Sequence, residues 1–409
     1  MKLWDHPMSE NDFRQCLRIA TGATIGFTLC KLFGWNYGVF FTVTPMLLLG
    51  MVPVVNLHAS RQLIFSAVVC GLEVGILGGL SGSHPVLMTL IAFGLFLYKF
   101  ACMSKGSLFL FGANSVLSLS IMLHFASYPT TDLNDLIFSN LQANVLSIIV
   151  AYLVTFLIPD AEPRQPPPKP SPAKQSHRMR HEALMGASIA TMSFLVFQIF
   201  DLNDSMSAQA TTLLLLFPMH WNGALGYARK RAMGTLLGVT FGIVGQLILY
   251  DWSDTLLFIV PLLWIGAMIF SYMHVKESSG SGAGFGGLTT LGILFGQYLT
   301  PDGDLIFSAL YRVSSILFAI VVTLLVTYAV HRLLNSFAAR ALVNHSLDAS
   351  QFTKSYVAGQ KGLFQQLGFQ IFSHSNGLLE SNAYHPAFGL FLYIGDQARI
   401  FLSYMNAKR

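Results

Sequence analysis

Charged side chains are scarce in this sequence. Asp, Glu, Lys and Arg supply 11% of its 409 residues, against about 25% in an ordinary soluble domain, so a surface that mostly faces water is excluded. Cysteine is rare too. Cys16, Cys30, Cys70 and Cys102 lie in or beside apolar segments and form no CxxC pair, which argues against a disulfide framework or a thiolate zinc site. The phosphate loop G-x-x-x-x-G-K-[ST], the metal helix H-E-x-x-H and the nucleophile elbow G-x-S-x-G do not occur. The chain is therefore not expected to be an enzyme or to hold a cofactor or metal, and an ATP-driven pump would need its nucleotide site from another chain. Residues Met1 to Asp12 lack the apolar core of a signal peptide, so the first hydrophobic segment is expected to remain as a span. The formal charge of +5 is spread in short clusters between apolar segments, which is not a nucleic-acid signature.

Apolar residues make up 53% of the chain. A hydrocarbon core about 30 Å thick needs roughly 20 of them in a helix. That ruler predicts spans near 14–33, 37–56, 61–80, 85–103, 106–126 and 136–158, then 183–200, 206–224, 231–250, 255–274, 283–299 and 304–332. Pro45 and Pro53 interrupt the second span and Pro218 closes the eighth, so broken or re-entrant segments are expected there.

The cations alternate with the spans. Lys2, Arg14 and Arg18, then Arg61, then Lys99 and Lys105, then Arg229, Lys230 and Arg231, then Lys276 fall on one side. Asp132, Asp135, Asp201, Asp204, Asp251, Asp254, Asp302 and Asp304 fall on the other. The positive-inside rule then predicts cytoplasmic termini and an even number of crossings. The halves also read as copies. Ile19-Ala20-Thr21 recurs as Ile189-Ala190-Thr191, Thr42 as Thr212, and Arg61 as Arg231, all at one spacing. Asp135-Leu136-Ile137-Phe138-Ser139 recurs as Asp304-Leu305-Ile306-Phe307-Ser308.

The expectation is an all-α integral membrane protein of about twelve transmembrane helices, in two parallel six-helix repeats related by an axis along the membrane normal. Residues 1–158 form the first repeat, 159–181 a Pro-rich basic cytoplasmic linker, 182–334 the second repeat, and 335–409 a cytoplasmic helical tail.

Several polar residues stand out against this background. Glu73 falls roughly 18 Å into the third span; an intramembrane carboxylate points either to proton coupling or to a protonated hydrogen-bond donor between helices. Arg61 and Arg231 open the third span of each half, either as a cationic pair that gathers an anion or as positive-inside anchors. Lys99 and Lys105 read as snorkelling anchors. Arg312 lies two turns into the last span, facing either the acidic loop or an anion pathway. Asn114 and Ser118, one turn apart in the fifth span, match Thr289, Thr290 and Gln297 in the eleventh; these faces suit close helix packing or a ligand. Gly234, Gly238 and Gly242, like Gly71 and Gly75, read as packing positions. His58, His84, His124, His220 and His274 form no ligand-spaced pair and are expected near the interfaces.

A tight helix pair, a basic turn and a Gly-rich third helix recur in both halves: Trp35-Asn36-Tyr37 to Pro53 then Arg61, and Ala210 to Pro218 then Arg231 to Gly238. Over roughly residues 14–335 this pattern resembles the short, membrane-only branch of the fusaric-acid-resistance family of aromatic-acid exporters. The resemblance implies a bacterial inner-membrane exporter of aromatic or other hydrophobic carboxylates. It would be driven by the proton gradient and work with a periplasmic adaptor of the membrane-fusion type and an outer-membrane channel. The same family is similar to plant anion channels paired as dimers. The alternatives are a passive anion pore between the halves or a transport-inactive scaffold for adaptor proteins, and the resemblance to paired channels also allows a homo-oligomer.

Overall fold

The structure, a computed structural model, describes residues 8–81, 84–128, 131–164, 176–200, 206–219, 221–249, 252, 255–277, 282–298, 311 and 313–336. Among the described residues the regular elements are helices. In the first half these are α1 (Glu10–Leu32), α2 (Gly38–Met51), α3 (Leu57–Ser81), α4 (Pro85–Ser104), α5 (Phe109–Ala126) and α6 (Leu133–Leu157). The second half gives α7 (Ser176–Ile199), α8 (Met206–Leu216), α9 (Trp221–Leu249), α10 (Leu256–Lys276) and α11 (Ala283–Ile293), which ends in a π-helical turn (Leu294–Tyr298). The last is α12 (Val313–Ser336).

Local chemistry sets these boundaries. Ser9 and Asp12 close a capping box on α1, satisfying two of the N–H groups that a helix start leaves free. Asp132 caps α6 by accepting from the N–H groups of Asn134 and Asp135. Pro85 occupies the first turn of α4, where no N–H is needed. The Glu277 carboxylate accepts from the N–H groups of Ala283 and Gly284 at the start of α11, at 3.0 and 3.2 Å.

Eight helices, α3 to α7, α9, α10 and α12, are long and apolar enough to cross a membrane, and large apolar side chains such as Ile76, Phe156 and Phe318 remain exposed on them. This is the signature of a multi-pass helical membrane protein. α1 has the length, but Glu10, Asp12, Arg14 and Arg18 occupy its first turns. α2, with Pro45 inside it, has 14 residues, and α8 and α11 have 11 each. The second and eighth spans are thus short, and the eleventh is shortened as well. α7 begins at Ser176, inside the stretch read as linker, because no proline follows Pro172 there. The tail beyond Ser336 lies outside the described residues.

The chain divides into two compact units, Met1–Ala173 with Glu182–Thr327, and Lys174–His181 with Tyr328–Arg409. In the second unit the rings of His181 and His331 meet edge-on, centroids 5.7 Å apart, and Asn335 Nδ2 lies 3.1 Å from His331 Nε2. In the first, α5 is the most enclosed of the eight long helices and packs on α3, α4 and α8; α11 packs on α9, α10 and α2. α1 lies against α2, α6 and α10, and Trp264 of α10 donates its indole N–H to Thr21 of α1 at 3.3 Å. Glycines set the closest approach. A Cβ on Gly234 would collide with the carbonyl oxygen of Ala283, and one on Gly238 would stand 3.1 Å from that of Gly287. The glycine stripe of α9 is therefore the seam with α11, as its spacing predicts.

Candidate functional site

α9 starts ten residues earlier than the hydropathy pattern suggests, at Trp221. Arg231 consequently lies in the body of the helix rather than at its mouth, and it is completely buried. Arg61 stays near the start of α3 and is exposed. Two arginines equivalent by sequence spacing therefore occupy different environments, and the paired cationic entrance is not formed.

The Arg231 guanidinium has neutral partners. Its Nη1 donates to the Thr289 hydroxyl and, at 3.3 Å, to the carbonyl oxygen of Gly286; its Nη2 lies 3.4 Å from the Thr211 hydroxyl. Nε has no partner. Among the described residues no carboxylate pairs with it, although arginine keeps its charge in proteins. Arg18 and Lys99, the other two completely buried cations among the described residues, each have one: Arg18 meets Asp160 at 2.9 Å and Lys99 meets Glu73 at 2.7 Å.

Arg231 opens onto a cavity of about 60 Å³ lined by α2, α5, α8, α9 and α11. Its polar lining is Thr44, Asn114, Ser118, Arg231 and Thr289; the rest is mainly aliphatic, with Phe40. The three short helices α2, α8 and α11 all contribute to this wall. Three of the sequence candidates, Asn114, Ser118 and Arg231, thus meet around one space. Gln297 falls in the π-helical turn after α11, and Arg312 lies outside the described residues.

Behind Asn114 and Ser118 runs a polar network that sequence reasoning missed. Asn114 Nδ2 donates to Ser66 Oγ of α3 at 2.7 Å and to Asn144 Oδ1 of α6 at 3.1 Å. Ser118 Oγ lies 3.4 Å from Asn140 Oδ1, and Asn144 donates to the Asn140 carbonyl at 2.7 Å. Gln209 of α8 donates to Ser120 Oγ at 2.8 Å. Such amides hold helices together and fix the side chains that face the cavity. The available signal was an asparagine pair at i and i+4, Asn140 and Asn144, inside an apolar run.

Glu73 is a separate feature. Both its oxygens lie within 3.0 Å of Lys99 Nζ, and the lysine is completely buried. Lys99 is therefore not a snorkelling anchor: its ammonium turns inward to a carboxylate on α3, the less costly solution for two charges in an apolar bundle. His124 and His274 also depart from expectation. Both are buried, and His274 Nε2 lies 3.1 Å from the Gly50 carbonyl oxygen at the end of α2.

At the end of α6 a third charged group ties the chain to α1. Arg18 donates through Nε to the Ile158 carbonyl at 2.7 Å, and Arg14 to that of Pro159 at 2.6 Å. Arg164 grips Asp160 through two nitrogens at 3.0 and 3.1 Å. Partial burial would raise the Asp160 pKa, but the hydrogen bond and charge of Arg164, with those of Arg18, outweigh it and hold the carboxyl below its ordinary value.

Residues 15–154 match a family described as "Protein of unknown function (DUF2955)". That stretch runs from within α1 to within α6. Comparison with curated proteins and with solved structures gives no match.

Proposed function

We propose that this protein moves small organic anions across a bacterial inner membrane, as an exporter of aromatic or other hydrophobic acids. The observation that carries this reading is Arg231: a permanent cation buried among neutral partners, opening onto a small, mostly apolar cavity. A guanidinium matches a carboxylate in shape and charge, and aliphatic walls suit an apolar body. At about 60 Å³ the cavity holds the charged group of such a substrate. The rest of the molecule would enter as the short helices α2, α8 and α11 shift, and irregular segments beside a cavity are where transporters place their sites.

The two-copy, twelve-span architecture belongs to the same reading. It is supported by reciprocal packing, α5 of the first half on α8 of the second and α11 of the second on α2 of the first. Glu73 remains the candidate for proton coupling, now as one member of an ion pair that would have to part. A periplasmic adaptor and an outer-membrane channel would complete the export route.

The test is accumulation of a panel of aromatic acids in inside-out vesicles, with and without an imposed proton gradient. Wild type should accumulate substrate, Arg231→Gln should not, and Glu73→Gln should lose the response to the gradient. Equilibration without accumulation would mean a passive anion pore. No movement, with an adaptor still co-purifying, would mean a scaffold.

A further inference from the structure

The Arg231 cavity also bears on the mode of transport. Removing an ion from water is costly unless an opposite charge replaces the lost hydration. Arg18 and Lys99 have that replacement in Asp160 and Glu73. Arg231 is as deeply buried, has an unpartnered Nε, and has hydroxyl and carbonyl partners alone among the described residues. Among the described residues no counter-charge stands beside it, and the open space that could take one is the cavity that it lines. A single cation among neutral groups balances one negative charge; a dianion would leave the second uncompensated. Two waters at about 30 Å³ each fill the same space, but water leaves the charge in place.

We infer that the cavity is a monoanion site and that the closed, Arg231-buried form is readily reached only with a monoanion bound, so that the protein works as an anion exchanger. The empty carrier would have to pass through a form in which a bare guanidinium is enclosed by the helices, which slows its return. A carrier that returns loaded avoids that form. This rests on the transport reading above and adds to it the charge of the substrate and the coupling of one anion to another.

The experiment uses the full chain in liposomes with labelled methanesulfonate, a permanently ionised monoanion that does not cross as a neutral acid. Valinomycin and potassium remove the membrane potential. Entry into vesicles preloaded with unlabelled methanesulfonate should exceed entry into anion-free vesicles by roughly tenfold or more. Equal rates in the two arms overturn the exchange mechanism and leave transport standing. No entry in either arm overturns both.

A binding readout separates the site from the cycle. Methanesulfonate should raise the thermal midpoint of the detergent-solubilised wild type and have no effect on Arg231→Gln. Thr211→Asp, which supplies a carboxylate beside Nη2, should raise the midpoint without added anion and abolish the response. A Thr211→Asp protein that still responds as wild type does would overturn the assignment of the cavity as the seat of the counter-charge. If that variant fails to fold, an Arg231→Gln protein that keeps the anion response does the same.

Discussion

Twenty-six residues separate Glu73 from Lys99, and each reads differently alone than in the pair. By itself Glu73 is a costly intramembrane acid, and Lys99 is a basic residue near a helix end. The hydropathy pattern located both within their helices but carried no information on which faces of α3 and α4 meet. The pairing was therefore not legible. Its energetic consequence is specific: removing one partner leaves an uncompensated buried charge, which costs about 3–5 kcal/mol, whereas removing both often costs little. Lys99→Met should lower the thermal midpoint markedly, and Lys99→Met combined with Glu73→Gln should recover most of the loss. Additive losses would show that the two groups do not depend on each other.

Asp160 gives a second prediction at this scale. Its folded-state pKa lies below the ordinary 3.8, so the folded form binds its proton less tightly than the unfolded chain. The stability it contributes is fully present above that ordinary value and is lost as the pH falls through the folded-state value. Wild type and Asp160→Asn should therefore keep a constant gap in midpoint from pH 6 down to about pH 4, and the two curves should converge below it as Asp160 takes up its proton.

Among the elements, the most readable was the stripe of Gly234, Gly238 and Gly242. A small residue at every fourth position predicts a close helix contact, and the Ala283 and Gly287 carbonyls of α11 lie against it. Gly234→Val has no room, since its side chain would meet backbone rather than a movable tip. Overpacking of this kind costs about 1–3 kcal/mol, and it would displace Thr289 from Arg231. The variant should show a lower midpoint together with loss of anion-dependent stabilisation. A normal anion response would detach the seam from the site.

Helix lengths were less legible than helix positions. Pro218 marked the break at Phe217 to Met219, where Met219 takes a positive φ of 59°, an uncommon conformation for a residue other than glycine; what the apolar run of residues 206–224 concealed was the start of the next helix. The chain then re-enters a helix at Trp221, and this early start carries Arg231 into the interior. A ruler of about 20 residues per crossing could not reveal it, because the residues on both sides of the break are apolar enough to continue a span. The charge of Arg231 was visible in the sequence; its burial depended on that break.

At the scale of the whole molecule, membrane class was the easiest inference and crossing number the hardest. Eight helices meet the requirement of length and apolarity; α1, α2, α8 and α11 do not. All four native cysteines are buried, so single cysteines introduced elsewhere report against a low background. A cysteine at Ser107 should react with an impermeant maleimide from the cytoplasmic face, and one at Asn134 from the opposite face. Labelling of Ser107 and Asn134 variants from the same side would overturn the alternating topology.

The reciprocal contacts of α5 with α8 and of α11 with α2 mean that each half supplies part of the other's interior. Meanwhile Arg14, Arg18, Asp160 and Arg164 fasten the end of α6 to α1 within the first half alone. A cut placed just after Arg164 leaves that fastening in the N-terminal fragment and severs no helix contact described. Two polypeptides made from separate genes should then find each other in the membrane and co-purify as one working protein, while either fragment expressed alone should be degraded. In heritable terms, the covalent join would be a convenience of synthesis, and a gene split at this point would remain functional.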